Sequence, residues 1–171
     1  MNVTVEHYDN GNIKRIECRN DEGKLHNPNG PAIQSWYKNG QERLRSYYIN
    51  GKRHRENGPA LQKWYENGQE YLRFYFIQGG LYREEGPSCQ GWHENGQVMR
   101  RGYCEGKPHR EDGPAYLGWD ENGKKTIREY WIKGEKLTEE EFNRRKNMIE
   151  IEAEGKVTRI SRESAKALNL I

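Results

Sequence analysis

HRENGPALQKWYENGQ, residues 54–69, packs a proline, two glycines, a tryptophan and several charged side chains into one short stretch. It is too turn-rich for a core and too aromatic for a plain loop. Laid against the rest of the chain, it proves to be one copy of a repeat. Gly-Pro recurs at Gly30-Pro31, Gly58-Pro59, Gly86-Pro87 and Gly113-Pro114, at spacings of 28, 28 and 27 residues. Trp36, Trp64, Trp92 and Trp119 each follow a proline by five positions, and Asn39-Gly40, Asn67-Gly68, Asn95-Gly96 and Asn122-Gly123 follow each tryptophan by three. Gly51, Gly79, Gly106 and Gly134 close the units. A fixed register held over four copies is the signature of a repeat architecture.

Each unit reads as a β-hairpin. Asn-Gly between two extended runs predicts a type I′ turn, which needs positive φ at both central residues. Proline at the head of a run suits a strand's first position, where no ladder donor is required. The polar link, GKRHRENGP at residues 51–59, is then the return to the next hairpin. The expected fold is all-β: a single-layer antiparallel β-meander of repeated hairpins with a small α+β C-terminal cap. A partial unit, HYDNGNIKRIECR, precedes the first full one, so residues 1–134 form the array and residues 135–171 the cap. About ten strands at ~4.8 Å each span roughly 45 Å. In the cap, Thr138 with Glu141 predicts a capping-box helix start, residues 148–160 a hairpin turning at Glu154-Gly155, and Ser161 the cap of a final short helix. Such a cap would cover a sheet edge otherwise open to pairing.

Composition agrees with a thin β-protein. Of 171 residues only 32% are hydrophobic and 32% are charged, yet there are 5 Trp, 11 Tyr and 19 Gly. Aromatic side chains must therefore do most of the burying. The net charge of +3 comes from 29 basic and 26 acidic residues that are interleaved, a weak footprint for nucleic acid. Cys18, Cys89 and Cys104 are odd in number and lack metal-ligand spacing, which points to reduced thiols in a cytoplasmic protein, host cytoplasm if the source is viral. No apolar stretch suggests a signal peptide or a membrane span.

Period-two alternation about the expected turn pairs Trp36 with Arg43, Gln34 with Arg45 and Ala32 with Tyr47, and sorts two faces. One repeats: Trp36, Trp64, Trp92 and Trp119; Arg45, Arg73, Arg101 and Arg128; Tyr47, Tyr75, Tyr103 and Tyr130. The other varies, from Ile33, Tyr37, Leu44 and Tyr48 to Cys89, His93, Arg100 and Cys104, as a surface for partner choice would. The Trp/Arg/Tyr ladder is either a set of cross-strand contacts stiffening the sheet or a stacking platform for a peptide, nucleotide or base. His54, Arg55, Arg83, His109 and Arg110, in the links, form a second candidate. They are either turn chemistry, with Arg–Glu pairs across neighbouring links and Asn57 or Asp112 ordering its turn, or a ridge for an acidic partner or phosphates.

No metal site, cofactor motif, phosphate loop, serine elbow or catalytic triad spacing is present in the sequence. HRENGPALQKWYENGQ and HREDGPAYLGWDENGK resemble the tandem HREDGPA repeats of bacterial, bacteriophage and giant-virus proteins, which are similar to membrane occupation and recognition nexus (MORN) repeats and to YwqK-type proteins labelled antitoxins. The resemblance covers residues 7–134 and implies a repetitive antiparallel sheet used for binding without catalysis. The expected function is a non-enzymatic interaction protein that binds, and inhibits or sequesters, a partner protein, in an antitoxin-like or phage counter-defence setting by analogy. The alternatives are a small-ligand or nucleotide-binding protein using the aromatic–arginine face, and a nucleic-acid-binding module. No membrane partner is expected.

Overall fold

The computed structural model describes residues 1–153 and 156–170. The partial unit supplies β1 (Asn2–His7) and β2 (Ile13–Arg19). The first full unit contributes β3 (Ile33–Trp36) and β4 (Glu42–Ser46), then a short return ribbon of β5 (Tyr48–Ile49) and β6 (Lys52–Arg53). The second repeats this as β7 (Leu61–Trp64), β8 (Glu70–Phe74), β9 (Phe76–Ile77) and β10 (Gly80–Leu81). The third gives β11 (Cys89–Trp92), β12 (Val98–Gly102), β13 (Cys104–Glu105) and β14 (Lys107–Pro108). The fourth gives β15 (Tyr116–Trp119), β16 (Lys125–Ile132) and β17 (Glu135–Leu137).

The main sheet is antiparallel and 11-stranded, ordered β1-β2-β3-β4-β7-β8-β11-β12-β15-β16-β17. The meander is therefore as expected, and the return ribbons are an addition to it. In the fourth unit β16 runs without a break from the sheet into the ribbon, which carries β17 into the main sheet and extends it to Leu137, past the expected end of the array.

The type I′ turns fall in the return ribbons of the first, second and fourth units and not at the Asn-Gly tips where they were expected. Positive φ at two successive residues, the type I′ signature, occurs at Asn50-Gly51 (48° and 80°), Gln78-Gly79 (49° and 90°) and Lys133-Gly134 (48° and 87°), in the return ribbons. At the Asn-Gly tips only the glycine is left-handed. There the Tyr37 N–H donates to the Gln41 carbonyl, the Gly40 N–H to the Tyr37 carbonyl, and the Asn39 Oδ1 accepts from the Gln41 N–H at 2.9 Å. Asn39 is thus used through its side chain, in an Asx bond that needs no left-handed backbone. The result is a three-residue connection with glycine at its last position.

That longer tip shifts the register. Trp36 pairs with Glu42, not Arg43, and a bulge follows before Ser35 pairs with Leu44 and Gln34 with Arg45. The same shift recurs at Trp64–Glu70, Trp92–Val98 and Trp119–Lys125. A bulge restores the parity that the odd-length tip removes, so the faces still sort as the alternation required.

After Leu137 the cap folds as α1 (Glu139–Lys146), β18 (Met148–Ala153), β19 (Lys156–Ser161) and α2 (Arg162–Ala167). Thr138 and Glu141 form the full capping box, and the Ser161 hydroxyl accepts from the Ser164 N–H. The expected tip at Glu154-Gly155 lies outside the described residues. Tyr130, Leu137 and Phe142 form a small core where α1 meets the sheet. Elsewhere burial is shallow: Ala32, Ala60, Ser88 and Ala115, each just after a proline, are fully buried, while the large aromatics are half-buried.

Candidate functional site

On the repeating face the cross-strand register draws one row across the array: Val5, Ile16, Gln34, Arg45, Gln62, Arg73, Gln90, Arg101, Leu117 and Arg128. Of the expected Trp/Arg/Tyr ladder, three Arg–Trp rungs form among the described residues, and each joins two units; Arg128 lies over Tyr130 instead. The Arg45 guanidinium lies over Trp64 at 5.4 Å, Arg73 over Trp92 at 4.8 Å and Arg101 over Trp119 at 5.8 Å. Each arginine reaches the tryptophan of the next hairpin, because that hairpin's first strand is its sheet neighbour.

Two carboxylates missed by the sequence reading organise this row. Glu42 accepts from Arg45 Nε at 2.9 Å, and Glu70 from Arg73 Nε at 3.1 Å. Burial alone would lower the pKa of these guanidinium groups; the Glu hydrogen bonds outweigh it and raise both on balance. The signal was available in the repeat, since Glu stands six residues after Trp36 and Trp64. The third unit has Val98 there, and Arg101 Nε is buried without an acceptor. In the fourth unit Lys125 takes the position, and Arg128 pairs with Glu139 of α1 at 2.9 Å.

The link arginines are committed to the fold. Arg55 stacks on Tyr47 at 4.0 Å, Arg83 on Tyr75 at 4.1 Å and Arg110 on Tyr103 at 3.9 Å. The same three donate from Nη1 to the carbonyls of Pro59, Pro87 and Pro114. Each staples the end of one hairpin to the start of the next. The expected Arg–Glu pairs across neighbouring links do not form among the described residues; Arg110 binds Asp112 within its own link at 2.6 Å, which holds the Asp112 carboxyl below its usual range. A guanidinium held over a tyrosine ring and bonded to a carbonyl has its position fixed, so it cannot also reach a neighbouring link.

The link histidines serve the return turns. His54 Nδ1 accepts from the Gln78 N–H at 3.2 Å and His109 Nδ1 from the Lys133 N–H at 3.1 Å, as His26 does from Asn50. A hollow of about 470 Å³ along the expected ridge is lined by Arg83, His109 and Arg110 together with Glu84, Glu111 and Asp112. Carboxylates there match the guanidinium groups, which does not favour phosphate.

Tyrosines of the varying face also bind units together. The Tyr8, Tyr37 and Tyr65 hydroxyls donate to the carbonyls of Trp36, Trp64 and Trp92 at 2.9, 2.8 and 3.1 Å, and His93 Nε2 meets the Trp119 carbonyl at 2.9 Å. Between these contacts the face changes along its row from Ile33, Ser46, Leu61 and Phe74 to Cys89, Gly102, Tyr116 and Glu129. Cys89 and Cys104 are buried free thiols. Burial pushes the Cys89 thiol up, away from the reactive thiolate, and Cys104 Sγ lies 3.4 Å from the Tyr116 hydroxyl.

No group of His, Cys, Asp or Glu able to hold a metal occurs among the described residues, and no described helix is long and apolar enough to cross a membrane. Comparison with protein-family models, curated proteins and solved structures returned no match.

Proposed function

We propose that the chain is a non-catalytic interaction protein whose Trp/Arg/Tyr face binds a partner protein, inhibiting or sequestering it. The observation that carries this reading is the charge balance of that face. Arg45 and Arg73 are already paired with Glu42 and Glu70, so the row offers rigid aromatic and guanidinium surface with little free positive charge. Phosphate recognition draws on uncompensated Lys and Arg, whereas protein interfaces concentrate Trp, Tyr and Arg in desolvated patches. The half-buried tryptophans are held by contacts from the neighbouring unit, so little side-chain freedom is lost on binding. Arg101 has Val98 where Arg45 and Arg73 have a glutamate, so its guanidinium carries the charge on this row that a partner's carboxylate would meet. The resemblance to HREDGPA, MORN and YwqK-type repeats supports the same reading and adds the antitoxin-like or phage counter-defence setting.

The test is affinity capture from host lysate with the wild-type chain and the Trp64→Ala/Arg73→Ala and Arg101→Ala variants. A specific protein retained by the wild type and lost with the face variants is the expected result. Equal capture by the variants overturns the assignment of the face. Quenching of tryptophan fluorescence by a nucleotide, abolished in Trp64→Ala/Arg73→Ala, would replace it with the small-ligand reading, and steeply salt-dependent retention of nucleic acid with the third.

A further inference from the structure

The two edges of the main sheet are treated differently. At one end α1 follows β17 directly and sets Phe142 on Tyr130, with ring centroids 4.7 Å apart. At the other end β1 pairs only with β2 among the described residues, and all six of its residues are exposed. Its sequence, NVTVEH, has no proline and no lysine, and its one irregularity lies at the end, between Glu6 and His7. These are the devices by which edge strands ordinarily avoid pairing. Val3 and Val5 stand 56% and 43% exposed on this edge. Through Val5–Ile16 and Ile16–Gln34 they belong to the Trp/Arg face, while Thr4, opposite Glu17, belongs to the other.

We propose that β1 pairs antiparallel with β1 of a second copy of this chain, about a two-fold axis normal to the sheet and passing midway between the two Thr4 residues. An axis normal to the sheet keeps the two faces of both copies aligned, so each residue must meet one of the same face. Centring on Thr4 sets Val3 against Val5, Val5 against Val3, Thr4 against Thr4 and Asn2 against Glu6. Partners then share odd or even parity, so outward N–H and C=O groups meet outward ones whichever parity faces the edge. Both valines gain an apolar cross-strand partner, the threonines meet at the axis, and a carboxylate faces an amide. Centring on Val5 would set Val3 against His7, and centring on Val3 would set Val5 against Met1, which lies outside the strand, and leave Glu6 and His7 without a partner.

Charge argues for a second copy as the occupant. Glu6 is the only acidic residue of β1, and Lys14 lies 3.6 Å from it in the same copy. In the pairing centred on Thr4 the two Glu6 residues fall at opposite ends of the new ribbon, roughly 14 Å apart along it, beyond the Debye length at physiological salt. A net charge of +3 per chain adds little repulsion between copies. The product is one sheet continuous through both copies, with their Trp/Arg faces on the same side. A contact this small belongs to the weak end of protein interfaces, so the dimer is expected at micromolar concentration.

Light scattering after gel filtration, across a micromolar concentration series, should show the mass doubling for the wild type and staying monomeric for Val3→Lys/Val5→Lys. Far-UV circular dichroism checks that the variant remains folded. Register is tested by oxidative cross-linking, for which Cys18, Cys89 and Cys104 give a quiet background because they are buried. Thr4→Cys should cross-link between copies, since residues facing each other across an antiparallel pair lie within disulfide reach. Val5→Cys, which faces Ile16 and not a cysteine in its own copy, should not, because its own counterpart is displaced by two residues and sits beyond ~7 Å. A wild type that stays monomeric, a dimer that survives the double lysine variant, or equal cross-linking by both thiols overturns the proposal. Where the monomer instead adds a strand from another protein at this edge, the first of these results is observed.

Discussion

The second and third repeat units share a backbone plan and differ in several of the side chains that decorate it. In the second, His54 accepts from the Gln78 N–H in the return turn, Tyr65 reaches the Trp92 carbonyl, and Glu70 holds Arg73. In the third, Tyr82 stands where the histidine would be, His93 replaces the tyrosine, and Val98 replaces the glutamate. Its return ribbon is also one residue shorter, so Glu105 pairs with Lys107 around Gly106 alone. Yet Arg83 still stacks on Tyr75, and Trp92 still sits under Arg73. The contacts retained are those that join one hairpin to the next. The contacts that vary lie within a unit or on its second face. A repeat array stands on its unit-to-unit interfaces, which leaves each copy free to drift internally.

Exchanging residues between these two units tests that division, and the largest effect is expected at Gly102. It occupies the place of Phe74, but a Cβ there would lie 2.6 Å from Cys89 Sγ and 2.9 Å from the Tyr116 ring. Gly102→Ala should already destabilise, and Gly102→Phe should reach or exceed the upper end of the ~1–3 kcal/mol typical of overpacking. Chemical denaturation measures both, and tolerance of phenylalanine would mean that the third unit can be repacked as the second.

Next come the shared staples. Arg55→Ala and Arg83→Ala each remove one stacked guanidinium and one hydrogen bond to a proline carbonyl, a loss of about 1–2 kcal/mol. If the interfaces carry the array, the two variants should lose similar stability despite their different surroundings. A much smaller loss for Arg83→Ala would break the comparison.

A gain is expected from Val98→Glu, which restores the glutamate of the first two units and gives Arg101 Nε an acceptor. Stability should rise by about 0.5–1 kcal/mol, and Glu70→Val should cost a similar amount. The same Val98→Glu change should weaken partner capture if Arg101 receives a carboxylate from outside.

The smallest effect extends the comparison to the fourth link, where Asp112 replaces the Asn57 of the second. Arg110 lowers the Asp112 pKa in the folded chain, so this pair stabilises above the ordinary carboxylate range and its contribution is lost as pH falls through the depressed value. Asp112→Asn should therefore cost no more than ~0.5 kcal/mol at neutral pH, given the exposure of the carboxylate, and the gap should close in acid. Thermal melts between pH 6 and pH 3 would record it; a gap that widens on acidification contradicts the assignment.

The repeat period, the all-β class, the antiparallel meander and the two faces were legible in the sequence. Gly-Pro, Trp and Asn-Gly at fixed spacing set strand starts and turns by local backbone preference, and side-chain alternation is a property of any strand. The caps at Thr138 and Ser161 were legible for the same reason. What the sequence left open were features that depend on a neighbour in space. The Asn-Gly tips adopt a three-residue connection because Asn39 bonds its own backbone, and the type I′ turns fall in the ribbons, where His26, His54 and His109 each supply an acceptor to a turn 24 residues away. Arg45 covers the next unit's tryptophan because strand order, not sequence order, makes Trp64 its neighbour. Local chemistry chose the hairpin, and only their packing side by side decided which residues hold the array and which remain on its surface.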